Sequence, residues 1–158
     1  MNQFFSEKEI KVLQSITGST ISHVLYHVWT NVSKPSEIFE SLDWLELRFE
    51  DQSRIILTAG EESDGIKIAE INMVDEIERV KEQFGGQIEI RSYLMNEMEI
   101  WKPAIGNPIR EVSFHQVRKE KVMNDEITLK FEGEEDHQLM ISLSSEEGLL
   151  VELHEDDI

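Results

Sequence analysis

Five histidines, at positions 23, 27, 115, 137 and 154, are the first residues to weigh for chemistry. Imidazole titrates near neutrality and binds metals. On a strand, His23 and His27 share one side but stand two pleats apart, roughly 13 Å, too far for one ion. His27 and His115 occupy matching places in an internal repeat described below. A ligand pocket between the two halves, formed by Tyr26, His27 and His115, is therefore the small-molecule site the sequence offers. The chain has no His-x-His or His-Glu-x-x-His spacing, so no metal ligand set is expected.

The carboxylates are more numerous. Glu61, Glu62 and Asp64 precede Gly65 in one turn, and Glu134, Glu135 and Asp136 fall in a turn of the second half. The first group fails the calcium-loop template, which needs alternating ligands and a Glu at its twelfth position. Its functional reading is a paired acidic surface for a basic partner, and its plain reading is a pair of solvated turns. Trp44 lies out of phase with Leu45, Leu47 and Phe49 and next to Asp43; its plain reading is a core residue, and its functional reading is an exposed tryptophan that joins that partner surface. No Gly-x-Ser-x-Gly elbow, phosphate loop or dinucleotide fingerprint is present, and there is no cysteine. No catalytic residue and no cofactor site are expected, and the reading leans away from an enzyme.

Local signals show what must position these residues. Ser6 to Glu9 forms a capping box, with Phe5 and Ile10 placed as a hydrophobic staple. The box predicts a short helix ending near Thr17, before Gly18. Residues 20–32 are β-branched and aromatic on both phases, which suits a strand covered on two sides. A helical turn is expected over 37–41. In 42–68, Leu45, Leu47 and Phe49 alternate with Glu46, Arg48 and Glu50, and three strands follow one another, the last over 66–71. Asn72 caps a second helix that ends at Gly85-Gly86, and a strand follows over 87–93.

The second half repeats the first. Gly18-Ser19-Thr20-Ile21 corresponds to Gly106-Asn107-Pro108-Ile109, and Val24, Tyr26 and His27 to Val112, Phe114 and His115. Phe49-Glu50 corresponds to Phe131-Glu132, Ile55-Ile56-Leu57 to Leu139-Met140-Ile141, and Asp64-Gly65 to Glu147-Gly148. A lone meander cannot hide its apolar face, and a second copy gives it a partner. The expected fold is α+β: an internally duplicated antiparallel β-meander of about eight to nine strands, with an N-terminal helix and a connecting helix. Residues 1–158 are read as one domain, with 1–71 the first half, 72–105 the connecting helix and strand, and 106–158 the second half.

Composition narrows the classes. The chain has 158 residues, 39% hydrophobic, which is a globular composition. Asp and Glu number 33 against 15 Lys and Arg, a formal charge of −18. That surface disfavours nucleic acid and anionic membranes and attracts a basic protein. No run approaches a membrane span, and the first residues lack the pattern of a secretory leader, so a cytoplasmic location is expected. In size, charge and compartment the chain resembles the small acidic immunity proteins that neutralise basic toxins, a resemblance carried by no motif. It implies a non-catalytic protein-binding module. The alternative is a small-ligand-binding protein or enzyme with its pocket between the two meanders. A homodimer formed by sheet extension is also open to it.

Overall fold

The computed structural model describes residues 4–59, 65–118, 121–133, 137–144 and 148–153. Among them the chain is α+β, with two helices and nine strands in two antiparallel sheets.

Helix α1 (Glu7–Ser15) begins at the predicted capping box. Glu9 donates its N–H to Ser6 Oγ at 3.1 Å, and the Glu9 carboxylate accepts the Ser6 N–H at 3.0 Å. The second Glu9 oxygen accepts the Ile68 N–H at 3.1 Å, so the cap also ties the helix to the first sheet. Phe5 is buried beside it and donates its N–H to the Val122 carbonyl of the second sheet.

The first sheet contains β1 (Ile21–Asn31), β2 (Phe39–Phe49), β3 (Arg54–Thr58), β4 (Lys67–Ile68) and β5 (Ile88–Leu94), in the order β4-β3-β2-β1-β5. The second contains β6 (Ile109–Arg118), β7 (Lys121–Phe131), β8 (His137–Leu143) and β9 (Leu149–Leu153), in chain order. Helix α2 (Met73–Gln83) links β4 to β5, and Asn72 accepts the Val74 and Asp75 N–H groups at its start.

Alternation decides what is buried. Ile21, Val24, Leu45, Leu47, Phe49, Ile55 and Leu57 of the first sheet meet Ile109, Ile127, Leu129, Phe131, Leu139 and Ile141 of the second in one core, joined by Leu13 and Ile16 of α1. Trp101 is fully buried in it and is brought there by the turns that follow β5. The opposite face of the first sheet holds a separate apolar cluster. There Trp44, Ile56 and Ile90, with Trp29 packed against them, meet Met73 and Val80 of α2. One sheet is therefore covered on both faces, as the two-phase apolar pattern of β1 predicts.

The sequence repeat is a structural repeat. Ile21 faces Phe49 and Val24 faces Leu47 across β1 and β2, while Ile109 faces Phe131 and Val112 faces Leu129 across β6 and β7. A register irregularity follows Ile21 in one pair and Ile109 in the other. The matched segments also touch one another. Thr20 bridges Pro108, Gly18 donates to the Ile109 carbonyl at 2.7 Å, and Gly106 donates to the Ile21 carbonyl at 3.3 Å. Exchanging the halves converts each of these last two bonds into the other. The same holds for Glu50 N–H to Thr20 O and Glu132 N–H to Pro108 O, both 2.9 Å. Gly65 packs against the Asn124 side chain of β7, and Gly148 packs against Ser41 and Leu42 of β2. Each meander thus crosses onto the second strand of the other.

Two local expectations are corrected. The helical turn over 37–41 is absent: β2 begins at Phe39 and pairs with Asn31, so the ladder captures these residues. The strand over 66–71 is reduced to Lys67–Ile68, because Ala69 and Ile71 pack under α2.

Candidate functional site

A polar network lies on the outer face of the first sheet, beside the area that α2 covers. Glu46, on β2, is wholly buried, and its neighbours in the ladder are Leu25 on β1 and Ile56 on β3. Its Oε1 accepts from His27 Nε2 at 2.8 Å and its Oε2 accepts from Arg48 Nε. Arg54 Nη1 stands 3.9 Å from Oε2. Burial pushes this carboxyl up, and the hydrogen bonds and charges of Arg48 and His27 outweigh it, holding the group below the usual carboxylate range.

His27 is buried as well, and its other ring nitrogen, Nδ1, lies 2.7 Å from Ser92 Oγ on β5. Register explains the closeness. Met95 donates to the Val24 carbonyl and Val32 to the Gln87 carbonyl, which makes His27 and Ser92 a non-hydrogen-bonded pair of the antiparallel ladder. Side chains approach most closely at such pairs. A carboxylate only accepts, so His27 carries hydrogen on Nε2, and with a neutral ring Nδ1 accepts the Ser92 hydroxyl. The result is a hydroxyl–imidazole–carboxylate chain across β5, β1 and β2, with Ser92 exposed at its outer end.

Next to this chain, Ser22, His23, Arg48, Phe49, Glu50, Gln52, Ser53 and Arg54 line an open depression of about 750 Å³. Gln52 shapes its wall by taking a left-handed backbone, φ 77°, in the turn between β2 and β3.

The residues singled out from sequence are placed as follows. Tyr26 and His27 are consecutive on β1 and point to opposite faces. Tyr26 packs against the inter-sheet core and accepts the Trp101 indole N–H at 2.6 Å, while His27 faces outward. Burial pushes the Tyr26 phenol up, with the Trp101 bond acting the other way. His115 is exposed, with Nδ1 3.1 Å from Asp125 Oδ2, and that carboxylate holds the ring above its ordinary value. The histidines that match in sequence therefore have different partners and form no common pocket. Trp44 is corrected: it is 9% exposed and lies under α2 against Ile56, Met73, Val80 and Ile90. Its position out of phase with Leu45 aimed it at a second buried face. Glu61, Glu62, Asp64, Glu134, Glu135 and Asp136 lie outside the described residues.

Glu46, Ser92, Arg48 and Arg54 escaped the sequence reading. Glu46 and Arg48 alternate with apolar residues and read as a solvated face. The signal against that reading was the apolar residues on both phases of β1, which imply a cover over the same face.

Among the described residues no group of acids and histidines is arranged to hold a metal ion. No helix there is long and apolar enough to cross a membrane. Compared with known proteins, the chain matches no family model, no curated protein and no solved structure.

Proposed function

We propose that this chain is a non-catalytic, acidic protein-binding module that takes a basic partner, in the manner of the small immunity proteins that neutralise basic toxins in the cytoplasm. The observation that carries the reading is the charge: 33 acidic against 15 basic residues, −18 in all. A field of that sign steers a Lys/Arg-rich surface into contact and repels polyanions. In sequence, Glu61, Glu62 and Asp64 lie between β3 and β4, and Glu134, Glu135 and Asp136 between β7 and β8. Affinity capture from the native cell tests the reading. A basic protein recovered at one-to-one stoichiometry is expected, and recovery of no basic protein overturns it.

A second reading, a small-ligand-binding protein or enzyme, draws on the Ser92–His27–Glu46 chain, whose contacts are those of a relay that activates a hydroxyl. Its site is the outer face of the first sheet rather than the space between the meanders. Labelling of Ser92 by a fluorophosphonate, lost in His27→Ala, favours this reading; an unlabelled wild-type chain removes it.

A further inference from the structure

The depression beside Glu46 brings two guanidiniums together on a chain whose net charge is −18. Its walls carry two guanidiniums, Arg48 and Arg54, whose side chains are 48% and 49% exposed. The carboxylate that accompanies them is withdrawn. The Glu46 side chain is 1% exposed, and its two oxygens are spent on His27 and Arg48. Only Arg48 Nε is engaged by Glu46, and Arg54 reaches it only at 3.9 Å. Arg48 and Arg54 both line the opening, with Glu50 as the one exposed carboxylate of the lining.

Burying Glu46 has a cost that an apolar residue at the same place would avoid. What the carboxylate adds is orientation, since a fixed acceptor at Nε sets the plane of the Arg48 fork. We propose that this depression binds a small oxyanion, a phosphate or phosphate monoester, between Arg48 and Arg54, with Glu46 as the positioning residue for Arg48. Guanidinium forks match phosphate oxygens in geometry and charge. The ligand is small because the surplus negative charge of the chain opposes a polyanion, whereas charges beyond about 8 Å are largely screened from a compact one at physiological ionic strength. This inference is independent of the basic partner proposed above.

The test is a titration of the full chain with inorganic phosphate, and separately with phenyl phosphate, at constant ionic strength. The readout is the ¹⁵N–¹H signals of the arginine Nε groups. Saturable shifts at Arg48 and Arg54 are expected. Arg54→Gln is expected to weaken phosphate about tenfold or more, with an unchanged thermal midpoint in the absence of phosphate. Arg110→Gln on β6, outside the lining, is expected to leave the affinity as it is. Tighter binding of phenyl phosphate assigns an organic monoester, and equal affinities assign free phosphate; both support the site. Shifts that do not saturate, or an Arg54→Gln chain that binds as well as wild type, overturn it.

Discussion

Glu46 is the residue on which the outer face of the first sheet depends. Its carboxylate joins three strands, since it takes hydrogen bonds from His27 on β1 and Arg48 on β2 and has Arg54 on β3 nearby. Glu46→Gln keeps the shape but leaves charged partners without their counter-ion. We expect a loss of about 3 kcal/mol in denaturant unfolding, the range for breaking a buried pair. The pH dependence follows from the lowered carboxyl. Its contribution is fully present above the unfolded-state pKa of a glutamate and disappears as pH falls through the lower folded value. Acid unfolding should therefore move to higher pH in Glu46→Gln relative to the rest of the profile. His115 has the opposite sign. Its folded value is raised by Asp125, so what it contributes is present below the unfolded value and disappears as pH rises through the folded one. NMR titration should place the His115 ring above the ordinary histidine value of 6.5, and Asp125→Asn should lower it; an unshifted ring in Asp125→Asn would show that the pairing is absent in solution.

At the level of elements, the crossings between halves matter more than the turns themselves. Gly18 and Gly148 both have positive φ, 89° and 85°, so alanine is strained at either, by about 1 kcal/mol. They differ in surroundings. A Cβ at Gly18 meets nothing within 4 Å, whereas one at Gly148 would lie 2.5 Å from Ser41 Oγ and 2.6 Å from the Leu42 carbonyl oxygen. Gly148→Ala must push β9 away from β2, and thermal unfolding should show it clearly more destabilised than Gly18→Ala. Equal losses would mean that the crossing carries no packing. The capping box gives a smaller effect: Ser6→Ala should cost about 1 kcal/mol.

For the whole molecule, the legible and the illegible divide along a physical line. The repeat was legible because its apolar positions have period two and its glycines mark backbone that approaches the other half. Ile21, Leu47, Phe131 and Leu139 are where alternation places them. The capping boundaries were legible for the same reason, being set by contacts three residues apart. Trp44 was misread because its burial depends on α2, nearly thirty residues further along the chain, docking on the second face. Ser92 was invisible because its partner is set by strand order, β5 joining β1 only after the excursion through α2, and Glu46 was hidden by its alternation with apolar residues, which reads as a solvated face. Sequence matching alone made His27 and His115 equivalent, while the fold buries one and exposes the other.

On the proposed reading, the acidic surface selects a basic protein. The most direct measurement is the association rate of the purified chain with that captured partner, by stopped flow, at two ionic strengths. The triple variant Glu61→Lys, Glu62→Lys, Asp64→Lys is compared with wild type. The association rate is expected to fall at least tenfold from low to high salt and to fall again in the variant, with unfolding stability unchanged. A rate indifferent to both salt and charge reversal would contradict it.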